Sequence, residues 1–233
     1  MEFGLSEEQD LLQETVRQFV SRECPATRLH TIFDSGDGHD EAVWRGMAEL
    51  GLCGLMLPEP YGGAGLEVLD LALVCEELGY GGLPGPFMMH SLAGDAIARG
   101  GDSEQQGRWL PALADGSRVA TLALAENEGD WEPEFWSCRW EEGALHGTKR
   151  FVPHAALAGL IVVGLKDGRM AVVEGSSDRL TVVSEEGIDR SRPIYRVEFD
   201  GVRCEILEAG TDCLERVRDV GLTLLASDGF GAA

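Results

Sequence analysis

The sequence predicts an α+β fold: a helical N-terminal part, then a small β-sandwich or barrel, then the start of a further helix. Three observations carry this reading. Through Ala114 the apolar residues recur at helical spacing. From Val119 the apolar runs become short, β-branched and bounded by turns. After Gly210 helical spacing returns, with Leu214, Val217, Val220, Leu224 and Leu225. Helices and strands segregated in this way argue against an alternating parallel sheet. The expected boundaries are a helical domain over 1–116, a β domain over 117–209 and the start of an incomplete helical domain over 210–233.

Each element has a local cause. Ser6 with Gln9 is a capping-box pattern, and Leu12, Val16, Phe19 and Val20 follow on one face up to a stop near Pro25. A second helix is expected from Asp40 to Leu50, with Val43, Trp44, Met47 and Leu50 on one side. The Gly- and Pro-dense stretch Leu57 to Leu66 is a connection long enough to suggest a role of its own. Leu66 to Leu78 is apolar nearly all round, as in a core helix. Helices are expected over Phe87 to Arg99 and, capped by Asp102 or Ser103, up to Ala114. The strands expected are Val119–Ala125, Trp136–Trp140, Leu160–Leu165, Met170–Val173, Leu180–Val183, Tyr195–Phe199 and Val202–Ile206, with a hairpin turn at Lys166-Asp167-Gly168-Arg169.

The 233 residues include 19 Lys and Arg against 41 Asp and Glu, a net charge of −22. Such a surface repels nucleic-acid phosphates and anionic membranes, so neither is an expected partner. The longest strongly apolar stretch, Leu157 to Leu165, is far short of the roughly 20 residues that span a bilayer. The N-terminus is acidic where a signal peptide is basic and apolar. The six cysteines form no C-x-x-C pair, which suits reduced, structural thiols in a cytoplasm.

The dinucleotide-binding, P-loop, nucleophile-elbow and zinc-protease motifs are all absent. No metal site is expected; His146 and His154 could approach across a strand pair, but isolated surface histidines are the plainer reading. Carboxylate pairs such as Glu76–Glu77 and Glu185–Glu186 read as a solvated acidic face. Two segments remain, Ala123-Leu124-Ala125-Glu126-Asn127 and Gly147 to Pro153. On generic grounds they are two β-strands with a turn.

Together with Gly51–Tyr80, Asp102–Glu126, Gly143–Gly164 and the stretch from Leu214, these segments resemble the acyl-CoA dehydrogenase family, in order and over nearly the whole chain. The resemblance implies an FAD enzyme that removes an α-proton and a β-hydride from an acyl-CoA thioester, giving the 2-enoyl-CoA. It implies a homo- or hetero-oligomer and an electron-transfer flavoprotein as acceptor. By the same resemblance Leu124, Ala125, Phe151, Val152 and Pro153 fall at flavin contacts, and Phe87, Met88, Met89 and Leu92 on the helix that lines the acyl pocket. The chain departs from the pattern at two hydroxyl positions, where it carries Ala125 and Pro153, and at the G-S-D that follows, which Glu128 to Glu134 lack. No residue is assigned as catalytic base, since the family's base lies in the C-terminal bundle and this chain stops as that bundle begins. The expectation is a subunit or fragment that binds FAD alone or only with a partner subunit, as in bacterial hetero-oligomeric members with one degraded subunit. The alternative is a non-catalytic binding or scaffold homologue that keeps the fold without flavin chemistry.

Overall fold

The computed structural model describes residues 4–233, and the fold is α+β. Seven helices are described: α1 Glu7–Glu23, α2 Ala26–Ser35, α3 Glu41–Glu49, α4 Val68–Tyr80, α5 Phe87–Gly100, α6 Ser103–Ala114 and α7 Thr211–Ala232. Eight strands lie between α6 and α7: β1 Ala120–Ala123, β2 Arg139–Glu141, β3 Ala144–Pro153, β4 Leu160–Gly164, β5 Met170–Glu174, β6 Leu180–Glu185, β7 Ile194–Arg203 and β8 Glu205–Leu207. Among the described residues no helix is long and apolar enough to cross a membrane.

The caps follow the expected chemistry. Ser6 and Gln9 close a reciprocal capping box on α1, and Asp102 with Gln105 does the same on α6. Asp40 accepts from the Ala42 and Val43 N–H groups at the start of α3. One helix was not announced by its sequence: Pro25 ends α1 and is itself the N-cap of α2, which stops at Gly36 in the left-handed region.

The strands form two four-stranded sheets, β1-β4-β5-β8 and β2-β3-β7-β6. β1 and β4 are parallel; all other pairs are antiparallel. The first sheet is apolar on both faces, because alternate residues of a strand point opposite ways. Leu160 and Val162 of β4 join the helical core, while Ile161 and Val163 face Leu145, Val197, Phe199 and Val202 of the second sheet. The lysine–arginine turn 166–169 connects β4 to β5 as a hairpin, as its sequence suggests.

Three strand expectations are corrected. Tyr195–Phe199 and Val202–Ile206 are not two separate strands divided at Asp200-Gly201; the break comes later, between Arg203 and Glu205. β7 runs through Asp200-Gly201, where Gly201 adopts φ 72° and the register with β3 slips by one residue. The partner strand continues past this point, so a turn-like dipeptide becomes a bulge. Trp136 does not lie in a strand either; it closes a short 3-10 turn over Pro133–Phe135 and is buried, its indole N–H donating to Asp130 O at 2.8 Å. And of the two segments expected as strands, Gly147 to Pro153 lies in β3 but Ala123 to Asn127 leaves its strand at Ala123, in the other sheet.

α7 returns across the helical part and packs on α4 and α5. At Gly79 of α4 a side chain would run into the Asp228 carbonyl, so only glycine allows this approach. Arg216 of α7 reaches the buried Asp95 of α5 at 3.1 Å, and Asp95 also holds Arg99 at 2.8 Å. Helix α7 is thereby set beside the open end of the first sheet.

Candidate functional site: a cavity between α5, β1, β3 and α7

A cavity of about 500 Å³ opens where β1 ends. Met89 and Leu92 of α5 form one wall, and Leu122, Leu124 and Ala125 form the floor. Phe151 and Pro153 come from β3, and Leu214, Val217, Leu222 and Leu225 from α7. The lip is polar: Lys166 and Asp167 from the hairpin, Glu132 and Glu134 from the loop before β2, and Glu215 and Arg218 from α7. The wall suits hydrocarbon, and the lip brings charge to the entrance.

Of the nine residues assigned from sequence, six meet at this cavity: Leu124, Ala125, Phe151, Pro153, Met89 and Leu92. The other three lie elsewhere. Val152 is buried between the two sheets, Phe87 is buried in the helical core, and Met88 packs against that core. They alternate with, or sit a turn away from, residues that face the cavity. The α7 wall, the 131–134 loop and the hairpin lip were not assigned. The α7 spacing of Leu214, Val217 and Leu225 was visible, but nothing local says which neighbour it meets.

The floor is fixed by a buried ion pair. Lys149 Nζ lies 2.8 Å from Glu126 Oε1, and both side chains are almost fully buried. The Lys149 ammonium also donates to Leu124 O at 2.8 Å and sits 3.8 Å from the centre of the Trp136 ring. Glu126 accepts in addition from Ser137 N, Ser137 Oγ and Cys138 N, at 2.6, 2.7 and 2.9 Å. Burial works to raise the Glu126 carboxyl pKa, but the Lys149 ammonium and these donors outweigh it and hold it below the usual range. Burial in turn pulls the Lys149 pKa down, against the pull of Glu126. The pair, with Arg150 N donating to Ala125 O at 2.9 Å, ties the end of β1 to β3.

Phe151 stands in the left-handed region at φ 53°, at an irregularity in the β3–β7 register. Such a conformation in a bulky residue is strained and has to be held by its surroundings. Glu185 of β6 supplies the hold: its Oε2 accepts from Phe151 N at 3.2 Å and its Oε1 lies 2.6 Å from Arg150 Nη2. Glu185 is therefore not part of a solvated acidic face. Nor is Glu77, which is buried on α4 and paired to Arg17 at 2.7 Å.

Behind β1 sits His90 of α5, fully buried. Its Nδ1 accepts from Ala120 N at 3.2 Å, so Nε2 carries the proton toward Leu113 O at 3.1 Å. Burial lowers its pKa to about 4, and it is neutral at neutral pH. His146 and His154 lie eight positions apart along one strand and its end, about 25 Å if extended. They do not approach each other, and His154 is buried rather than on the surface. Among the described residues no group of three or more His, Cys, Asp or Glu is placed to hold a metal ion. The six cysteines are all free thiols.

Four carboxylates line the cavity: Glu132, Glu134, Asp167 and Glu215. Asp167 is held by the Arg169 guanidinium, which keeps its pKa below the usual range. Glu132 faces Arg218 at 3.6 Å.

The chain is similar to several known proteins. The family described as "Acyl-CoA dehydrogenase, N-terminal domain" matches residues 6–117. Acyl-CoA dehydrogenase IpdE2 of Mycolicibacterium smegmatis is 36% identical over 121 residues, which is 52% of this chain and 38% of that relative. A variant of the Tcur3481-Tcur3483 steroid ACAD superposes with a TM-score of 0.88 at 32% identity, over 97% of this chain and 63% of that one. A glutaryl-CoA dehydrogenase from Mycobacterium smegmatis in complex with FADH2 superposes at 0.78 with 25% identity, over 97% of this chain and 61% of that one. The chain thus spans less than two thirds of the length of these relatives. Residues 6–117 thus match the N-terminal domain of the acyl-CoA dehydrogenases, and the fold as a whole is similar to that of solved members of that family.

Proposed function

We propose that this chain forms the acyl-binding cavity of an acyl-CoA dehydrogenase and works in assembly with a second subunit of that family. The observation that carries this is the convergence of Leu124, Ala125, Phe151 and Pro153 with Met89 and Leu92 around one apolar cavity. In this reading the hydrocarbon of the acyl group lies against α5 and α7, and Lys166 and Arg218, the two cations in the lining, face the anionic part of the thioester carrier. The reaction of the assembly is α,β-dehydrogenation to the 2-enoyl-CoA, in a cytoplasm, with an electron-transfer flavoprotein as acceptor.

The family's FAD does not fit side chains of this chain alone. Ala125 and Pro153 bring no donor to the cavity, and Pro153 lacks even an N–H. Four lining carboxylates against two cations oppose a pyrophosphate. In this reading the chain by itself neither holds the flavin nor supplies the base. The partner supplies the flavin's polar contacts and the proton acceptor.

The test is the visible spectrum of the purified chain with added FAD, alone and co-expressed with an intact family member. A flavin band near ~450 nm that co-elutes only in the co-expressed sample is the expected result. Flavin-dependent dehydrogenation by the chain alone sinks the partner requirement. No flavin in either sample, with capture of an unrelated protein, favours the scaffold alternative.

A further inference from the structure

The network behind Phe151 does more than satisfy backbone groups. Arg150 donates through Nε to Glu185 Oε1 at 2.8 Å and through Nη1 to Asn127 O at 3.1 Å. Its guanidinium carbon lies 4.9 Å from the centre of the Phe151 ring. Asn127, like Phe151, is left-handed, at φ 47°. One arginine thus bridges two residues of left-handed backbone, and one carboxylate on β6 anchors that arginine. The Glu185 side chain is only 11% exposed, so its bonds to Arg150 and to the Phe151 N–H are largely shielded from water. The other side of the bulge is already fixed by the Lys149–Glu126 pair. Residues 149 and 150 are therefore pulled toward carboxylates in different places, and residue 151 takes up the turn.

We propose that Glu185 is a positioning residue of this cavity: by holding Arg150 and the Phe151 N–H together, it presets the Phe151 ring as a wall against which bound ligand packs. The inference rests on the reading of the cavity as an acyl-CoA site. A preset wall spares the ligand the cost of ordering it, which is the usual source of affinity from preorganisation. Glu185 touches no ligand itself, so its effect passes through Phe151.

The experiment places 4-fluorophenylalanine at position 151 and records its fluorine NMR signal, and measures decanoyl-CoA affinity by calorimetry, in the full chain. Variants E185A and E185Q are compared with E186A at the exposed neighbour. In E185A the fluorine signal moves and broadens, and decanoyl-CoA binds about tenfold more weakly. E185Q keeps an acceptor for the Phe151 N–H and rescues part of both effects, which a general loss of stability does not explain. E186A changes neither. An unmoved fluorine signal in E185A overturns the inference, as does a moved signal with unaltered affinity. Failure of the unsubstituted chain to bind decanoyl-CoA overturns the cavity reading and the inference together, whereas binding that E185A leaves intact overturns the inference alone.

Discussion

The two sheets of this chain are the same size and have opposite surroundings. Every residue of β1, β4 and the first four of β5 is buried, because the first sheet lies between the helices and the second sheet. The second sheet buries one face only; along β3 and β7 fully buried residues are spaced among partly exposed ones. Continuous apolar runs such as Leu160-Ile161-Val162-Val163 therefore mark the first sheet, and interrupted patterns mark the second. The difference teaches where a polar device can sit. A charge is tolerable on the wet face without help, but between the sheets it needs a complete set of partners, as Lys149 and Glu126 have.

The sharpest way to break this contrast is Lys149→Met. It leaves Glu126 buried without its counter-ion, and a loss of about 3–5 kcal/mol in unfolding free energy is expected by denaturant titration. The double variant K149M/E126Q recovers part of that loss, since no uncompensated charge remains. A double variant no more stable than K149M alone would show that packing, not charge, sets the cost.

Next comes packing between the sheets. Ile161→Ala is expected to cost about 3–4 kcal/mol, while Thr181→Ala, on the exposed face of β6, stays within about 0.5 kcal/mol. Equal effects at the two positions would erase the distinction between a sheet buried on both faces and one that is wet.

The third prediction concerns pH. His90, behind β1, has a folded pKa of about 4 against an ordinary 6.5. Between these values the unfolded chain binds a proton that the folded chain refuses, so stability falls as pH drops through 6.5 toward 4. The loss is on the order of 3 kcal/mol by pH 4. Glu126 acts in the same direction but later, since its lowered pKa keeps its contribution until pH falls below the ordinary carboxylate range. Denaturant titrations at pH 7.5 and 5 check the histidine, and His90→Gln flattens that part of the profile. An equal slope in His90→Gln would falsify the assignment.

Much of the fold was legible. The capping boxes at Ser6 and Asp102, the all-apolar helix that became α4 and the hairpin at Lys166–Arg169 each follow from a few neighbouring residues. α2 was not, because the proline that stops one helix also starts another. Leu124, Ala125, Phe151 and Pro153, named through resemblance, line the cavity, while nothing in the sequence named its α7 wall. The second residue of Glu76–Glu77 and the first of Glu185–Glu186 were dismissed as surface acid, since a carboxylate's partner lies 60 and 35 residues away in sequence.

What the sequence determined by itself was therefore local: helix against strand, caps, turns and the apolar runs of a doubly buried sheet, all set by the period of the hydrophobic pattern and by backbone chemistry within a few residues. What only the tertiary structure decided was which charges are buried and what they hold. Lys149 meets Glu126 and Arg150 meets Glu185 across separate strands, and desolvation gives those pairs an importance that no sequence spacing records.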